Sequence, residues 1–388
     1  MTGTLTLQYE ADFIAELTAL RHSLHRAPEI SGEEKATARR MADWLRGCGA
    51  DEIVEGLGGH GVAGIFDSGA PGPAVLFRCE LDALPIHETG TPEWRSNLPG
   101  KGHMCGHDGH MAILCGLAKR LQADRPKCGR VVLLFQPAEE TGAGARAVVD
   151  DARFAGIRPD FAFGLHNLPG MPLGHAAIRD GAFCFASEGL AVDLTGWTSH
   201  AAHPEDGRSP ARAMTELVTG LPNLPAKLGM RPGEGLVTLS HARLGDPAFG
   251  IAPGEARIMA TLRSETDALQ ERLMEAAEDL AGSVAADACL KFAMERSERF
   301  AACFNDAAAT AMVRTALDAT GTPSTENRKP FRWSEDFGVF SGVAPSAFFV
   351  LGAGETCPQL HNPDYDFPDA IIPSGLAIFE QLVRMHCS

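Results

Sequence analysis

The segment from Lys101 to His110, KGHMCGHDGH, concentrates side chains that bind metal ions or carry protons. Cysteine thiolate and histidine imidazole are good ligands for zinc and similar divalent ions. Cys105 and His107 are separated only by Gly106, which lets the backbone bend so that both donors can turn toward one or two ions. An ordinary core has little use for this mixture, because each polar group would need a partner once buried. The segment therefore predicts a metal site.

Further polar groups lie downstream, and most of them follow an apolar run typical of a buried strand. Glu139 and Glu140 form an adjacent pair, and two close carboxylates repel each other unless cations compensate them. One glutamate would bind an ion, while its neighbour would act as general base on an acidified water and later as acid toward the leaving nitrogen. His166 and His361 would supply the remaining donors. Five protein donors fit two metal ions better than one.

Each of these groups also has an ordinary interpretation. A lone cysteine or histidine is more often structural than a ligand, and an adjacent glutamate pair usually lies on a solvated surface. For His103 and His110, packing or a hydrogen bond to a ligand explains the residue as well as ligation does. Asp82 would orient a ligand histidine or cap a turn. Only the combination favours a metal-dependent hydrolase.

Composition sets the frame for that chemistry. A chain of 388 residues is too long for one ordinary core, so two domains are expected. The net charge of -16 argues against a nucleic-acid partner, and no apolar run reaches membrane-spanning length. The ten cysteines include no CxxC pair, and the start of the chain has no apolar leader. These features predict reduced thiols and a cytoplasmic location.

The order of predicted elements indicates an α/β domain. Two helices over 11–47, a helix over 110–121 and apolar strands over 74–78, 130–135 and 161–165 alternate along the first half of the chain. In such sheets the functional groups collect at the carboxyl ends of the strands, where the carboxylates and His166 fall. From about residue 186 the pattern changes to that of an α+β segment, and a core-like strand returns at 347–351.

Several motifs, in the same order, resemble those of the dinuclear metallo-amidohydrolases of the aminoacylase and carboxypeptidase superfamily. The resemblance is closest to the branch of hippurate hydrolases, indole-acetyl-amino-acid hydrolases and N-acetyl-diaminopimelate deacetylases, and it runs nearly end to end. The matching segments are RHSLHRAPEIS at 21–31, RCELDALPI at 78–86, GHMCGHDGH at 102–110, FQPAEE at 135–140, GLHN at 164–167, SEDF at 334–337 and LHNP at 360–363.

This resemblance implies an architecture for the whole chain. Residues 1–185 and 298–388 would form a metallopeptidase-like catalytic domain with a mixed central sheet flanked by helices. Residues 186–297 would form an inserted α+β lid that also mediates dimerisation, so that the protein would be a homodimer or tetramer.

The resemblance also implies roles for individual residues. The ligands of two divalent ions (Mn, Zn, Ni or Co) would be Cys105 as the bridge, His107, Glu140, His166 and His361. Glu139 would be the general base, and His200, in TSHAA at 198–202, would stabilise the oxyanion. Arg263 would pair with a substrate carboxylate, although a solvated charge at a strand end explains it equally well.

Four residues depart from the family's pattern. Glu80 stands where aspartate is usual, and Trp197 and Ser199 stand where small or basic residues are common. Gly250 replaces an asparagine that would contact the substrate, which leaves the choice of substrate open.

None of these departures removes a proposed ligand. The sequence therefore predicts a metal-dependent amidohydrolase that cleaves small-molecule N-acyl amino acids to a carboxylic acid and a free amino acid. A dipeptidase or carboxypeptidase on the same scaffold, and a non-catalytic metal-binding relative, remain alternatives.

Overall fold

The computed structural model describes the backbone of residues 2–387 and the side chains from residue 10 onward. Met1 and Ser388, which the predicted catalytic domain includes, lie outside the described residues. The helices are α1 (Thr2–His25), α2 (Lys35–Gly47), α3 (His107–Ala123), α4 (Gly144–Asp150), α5 (Phe154–Ile157), α6 (Ala211–Gly220), α7 (Leu224–Lys227), α8 (Asp267–Asp287), α9 (Ala307–Thr320), α10 (Gly338–Ser341) and α11 (Ile372–Cys387). Within the described chain, none of these helices is both long and apolar enough to cross a membrane.

The strands cover both halves of the chain. They are β1 (Glu52–Leu57), β2 (Gly61–Asp67), β3 (Ala74–Glu80), β4 (Arg130–Gln136), β5 (Phe161–Leu168), β6 (Ala176–Ile178), β7 (Gly181–Cys184), β8 (Ala186–Thr195), β9 (Ser199–His200), β10 (Gly235–Leu244), β11 (Ile251–Ala252), β12 (Glu255–Ser264), β13 (Lys291–Phe300), β14 (Cys303–Asn305), β15 (Ser324–Glu326) and β16 (Ser346–Gly352).

The chain divides into two compact units. The first holds the residues up to Phe183, Cys303–Lys329 and those from Asp336 onward. The second holds Cys184–Ala302 and Pro330–Glu335.

The first unit is built on a mixed sheet whose middle strands are parallel. In the described chain this sheet has eight strands in the order β1-β2-β4-β3-β5-β16-β6-β15. The neighbours β4, β3, β5 and β16 run parallel, whereas β1 and β2 pair antiparallel at one side. The carboxyl ends of the four central strands therefore meet at one edge of the sheet. The predicted mixed central sheet of an α/β fold is confirmed.

Burial explains why these segments are strands and helices. Every residue of β3 and of β16 is buried, as expected for parallel strands covered on both faces. Helix α3 is buried along almost its whole length and packs beside α1 and α11. Helix α2 instead buries one apolar face and leaves charged residues outside. The apolar side chains of these elements form one continuous core.

The second unit is an α+β arrangement of its own. Its sheet has the antiparallel order β10-β12-β8-β13, and α6 and α8 cover one face through an apolar core. The short strands β9 and β11 form a separate antiparallel pair, which places His200 opposite Ile251.

Helix α3 begins at a point where only glycine fits. Gly106 directly precedes the helix with φ +92°, a left-handed conformation that side chains rarely adopt. A Cβ atom at this position would lie 2.0 Å from Oδ1 of Asn167. The start of helix α3 therefore lies so close to Asn167 of β5 that no side chain fits at position 106.

The replacement Gly106→Ala should lower the melting temperature more than a matched glycine replacement. Gly321, with φ +67°, is also left-handed but has open space around its Cα. Alanine there should cost about 1–2 kcal/mol of unfolding free energy from backbone strain alone. At Gly106 the collision with Asn167 adds to that strain. Thermal unfolding of both variants measures the difference, and equal losses would contradict the close approach.

Candidate metal centre

The predicted ligands come from four different elements that meet at the carboxyl edge of the first unit's sheet. His107 is the first residue of α3, three residues earlier than the predicted helix start. His166 lies inside β5, which runs on to Leu168 instead of ending at Leu165 as predicted. Glu140 follows β4 by four residues. His361 lies in the loop after β16, where its backbone has φ +66°, an uncommon conformation for histidine.

Cys105 is shared by two groups of potential ligands. In one group, the donor atoms of Cys105, His107 and His166 lie within 4.8 Å of one another. In the other, the donor atoms of Cys105, Glu140 and His361 satisfy the same limit. The Cys105 thiol lies 3.4 Å from Nε2 of His166 and is buried. A sulfur common to two donor groups is the arrangement that two neighbouring ions with one bridging ligand require.

The two adjacent glutamates lie between the histidines. Oε1 of Glu140 is 3.8 Å from Nε2 of His107, and its Oε2 is 3.6 Å from Nε2 of His361. Oε2 of Glu139 is 3.9 Å from Nε2 of His107. Glu140 can therefore reach both histidines at once, and Glu139 approaches His107.

Asp82 fixes the orientation of His107. Nδ1 of His107 donates to the main-chain oxygen of Asp82 at 2.8 Å. The Asp82 carboxylate accepts hydrogen bonds from the backbone N–H of Glu140, at 3.0 Å, and from the Ser31 hydroxyl, at 2.7 Å. Nε2 of His107 is then the remaining ring nitrogen, and it is buried with no hydrogen-bond partner among the described residues.

The protonation preferences show how strongly this site attracts positive charge. Burial opposes protonation of His107, but the surrounding carboxylates, led by Asp82, outweigh it and raise its pKa to about 10. Burial, reinforced by Glu140 and Glu139, raises the pKa of the Cys105 thiol well above its usual value. Without metal, protons therefore occupy His107 and Cys105 at the positions where metal ions would bind.

The other two histidines have the opposite preference. Burial, with a contribution from His110, lowers the pKa of His166 well below its usual range. Burial and the neighbouring His107 also lower the pKa of His361. Both imidazoles are thus held in the neutral form, which is the form that binds metal. Together with the unpartnered Nε2 of His107, this donor set fits divalent metal ions.

His110 supports the site through hydrogen bonds at both of its ring nitrogens. Its Nδ1 donates to Glu80 at 2.6 Å, and its Nε2 accepts the backbone N–H of Asn167 at 3.2 Å. Both ring nitrogens therefore have protein partners. Asn167 in turn donates from its side chain to the main-chain oxygen of Cys105 at 3.2 Å.

A second buried network holds the first turn of α3 from the side of α1. Arg21 is fully buried and contacts Asp108, at 3.3 Å, and Asp366, at 2.6 Å. Nδ1 of His25 lies 2.9 Å from the Asp108 carboxylate. Burial opposes protonation of His25, but Asp108 outweighs it and raises the pKa of His25 to about 9. The carboxylate next to His107 is thus fixed between two cations, a role for the motif at 21–31 that spacing alone did not reveal.

His200 and Arg263 lie in the second unit. His200 is exposed, and its Nδ1 accepts the backbone N–H of Ala202 at 3.0 Å, which places the ring proton on Nε2. Nη1 of Arg263 donates to the main-chain oxygen of Arg332, at 3.2 Å, and to the Ser334 hydroxyl, at 2.9 Å. Burial lowers the pKa of the Arg263 guanidinium. No carboxylate of the described residues forms an ion pair with it.

Comparisons with known proteins identify the family to which the chain belongs. The model of the peptidase family M20/M25/M40 matches residues 76–385. Hippurate hydrolase of Campylobacter jejuni is 28% identical over 97% of this chain and 97% of its own length. IAA-amino acid hydrolase ILR1-like 2 of Arabidopsis thaliana is 30% identical over 95% of this chain and 85% of its own length.

A solved structure shares the fold over the same extent. The YXEP protein of Bacillus subtilis, described as a dinuclear metal binding peptidase, superposes with a TM-score of 0.81 at 24% identity and covers 97% of this chain and 98% of its own. With a family match over most of its length and relatives aligned nearly end to end, the chain belongs to peptidase family M20/M25/M40.

Proposed function

We propose that this protein is a two-metal amidohydrolase that cleaves N-acyl amino acids to a carboxylic acid and a free amino acid. The observation that carries the proposal is the buried Cys105 thiol shared by two donor groups, with Glu139 beside them. The two curated relatives support it, since by their names they hydrolyse hippurate and conjugates of amino acids. Hippurate is itself an N-acyl amino acid.

The metal ligands in this proposal are the five residues identified from the sequence. Cys105, His107, Glu140, His166 and His361 would hold two divalent ions, with manganese, zinc, cobalt and nickel as candidates. When bound, such ions would lower the pKa of a water molecule and polarise the carbonyl of the amide. The geometry of the site supports this ligand set, because the donor atoms of these residues form two groups within 4.8 Å that share Cys105.

Glu139 is the proposed general base. It lies beside Glu140, and its Oε2 approaches Nε2 of His107 to 3.9 Å. The carboxylate would take the proton of the attacking water and then deliver it to the nitrogen of the departing amine. Its Oε1 also accepts the backbone N–H of Asp336 at 3.4 Å, which restricts where the carboxylate can point.

His200 and Arg263 are the proposed contacts to the substrate from the second unit. With the proton of His200 on Nε2, the ring has a donor for the amide oxygen as negative charge develops on it. Arg263 is partly buried without an ion pair among the described residues, so a substrate carboxylate would supply its missing counter-charge. An N-acyl amino acid offers both groups, an amide and a free carboxylate.

Dimerisation and cytoplasmic location complete the proposal. In the second unit's sheet, β13 is an edge strand whose side chains are mostly exposed. An open edge of this kind is suited to pairing with a second copy of the chain, which supports a homodimer or a tetramer built from it. The cytoplasmic location rests on the cysteine pattern of the sequence.

The proposal predicts a defined substrate preference. The metal-free protein, reloaded in turn with manganese, zinc, cobalt and nickel, should hydrolyse N-acetyl and N-benzoyl amino acids in at least one metal form. The carboxamide of each substrate should react more slowly, because it offers no charge to Arg263. Activity on dipeptides alone would instead identify a dipeptidase, and metal binding without turnover of any substrate would identify a non-catalytic relative.

The variant Glu139→Gln should retain its metal and lose turnover. The amide keeps the size of the side chain but cannot accept a proton, so kcat should fall by on the order of 100-fold or more. Metal content by elemental analysis should stay at the parent level. Glu16→Gln, an exposed replacement in the same unit, serves as the control. A Glu139→Gln enzyme with parental kcat would disprove the base assignment.

The variant Cys105→Ala should lose metal, because its sulfur is the atom shared by both donor groups. Cys115→Ala is the matched control, since Cys115 is a fully buried cysteine of α3 outside those groups. Elemental analysis after dialysis should show fewer ions per chain in the first variant only. Full occupancy in Cys105→Ala would remove Cys105 from the ligand set.

A further inference from the structure

Arg78 is a fully buried cation that has no part in the proposed reaction. It lies near the end of β3, and its guanidinium uses all three nitrogens. Nε donates to the side-chain oxygen of Gln136 at 2.9 Å, Nη1 contacts the Glu80 carboxylate, and Nη2 contacts the Asp336 carboxylate. A planar guanidinium with three fixed partners locks their relative positions.

One branch from Arg78 leads to the proposed base. The Asp336 carboxylate, held by Nη2, also accepts the side-chain N–H of Gln136 and the backbone N–H of Ala145, each at 2.8 Å. With its side chain fixed in this way, Asp336 presents its own backbone N–H to Oε1 of Glu139. Gln136 adds a second constraint, since it ends β4 three residues before Glu139.

The other branch leads to the proposed bridging thiol. Glu80, held by Nη1, accepts the N–H of His110, whose other ring nitrogen accepts the backbone N–H of Asn167. Asn167 follows the ligand His166 and donates to the main-chain oxygen of Cys105. Glu80 and His110 are almost completely buried, so water does not loosen this connection.

The buried carboxylates of this network would cost free energy if their cationic partner were missing. Arg78 joins the buried carboxylates of Glu80 and Asp336 through two direct ion pairs. Burial favours the neutral form of Glu80, yet Arg78 outweighs it and holds the pKa of Glu80 well below its usual value. Buried ion pairs contribute little net stability, and their attested use is to specify one geometry.

We infer that Arg78 is a positioning residue, which sets the base Glu139 and the Cys105 segment in a fixed relation through Asp336 and Glu80. The inference rests on the proposed function for its kinetic readout. Lysine at this position keeps the charge but lacks the three-way fork, so it cannot hold both carboxylates and Gln136 in one plane.

The test compares Arg78→Lys with Arg120→Lys. Arg120 is a partly buried arginine of α3 that pairs with Glu10 and Glu380, away from the proposed ligands. In Arg78→Lys, kcat per folded, metal-loaded chain should fall by on the order of 10–100-fold while KM stays within about twofold, because displacement of a catalytic group by about 1 Å has an effect of that size. Arg120→Lys should change neither constant.

Two further measurements keep the inference separate from stability and from metal binding. Elemental analysis should give the parent metal content for Arg78→Lys. A crystal structure of the variant should show the Glu139 carboxylate displaced from the backbone N–H of Asp336, which lies 3.4 Å from it in the parent. If Arg78→Lys does not fold, Asp336→Asn tests the same branch with the same readouts.

Parental kcat in either folded, metal-replete variant overturns the inference, and so does a loss of activity that excess metal restores. If the parent hydrolyses no N-acyl amino acid, the proposed function fails instead. The position of Glu139 in the variant crystal structure then decides the role of Arg78 by itself.

Discussion

The rest of this structure depends on one constraint, the burial of several carboxylates close together where little water reaches them. Carboxylates line the carboxyl edge of the first unit's sheet, and such groups cannot be buried together without cations. Protein cations neutralise the flanks, with Arg78 between Glu80 and Asp336 and Arg21 beside Asp108. The middle, around Glu140, has histidines and a thiol in place of arginine or lysine. Metal ions are the cations that these donors select.

The backbone brings this charge together by strand direction alone. Because β3, β4 and β5 run parallel, their carboxyl ends lie at one edge of the sheet. Side chains that are distant in sequence meet there, whatever path the connecting loops take. The close approach at Gly106 then brings the start of α3 against β5, so that Cys105 and His166 come within 3.4 Å.

The sequence pointed to the side chains proposed for the chemistry more readily than to the side chains that hold them in place. Cys105 and Glu140 have side chains whose spacing after apolar runs signals a metal site. Arg78 gave no such signal, because a single arginine inside an apolar run is indistinguishable from a charge at a strand end until its partners are known. Asp336 lies 258 residues from Arg78, and only the folded sheet brings the two together. The end of β5 was also placed too early, since His166 is a polar residue inside a buried strand.

The position of β16 has a consequence for synthesis of the chain. This strand, residues 346–352, lies between β5 and β6, which are made more than 160 residues earlier. On the ribosome, β5 must therefore wait with one long, apolar edge open until the last tenth of the chain emerges. Most of the second unit, Cys184–Ala302, is made during that interval and can complete its own sheet first. The candidate metal centre, whose proposed ligands include His361, can be completed only after β16 has emerged, so a chain truncated before β16 would carry an aggregation-prone edge and an incomplete site.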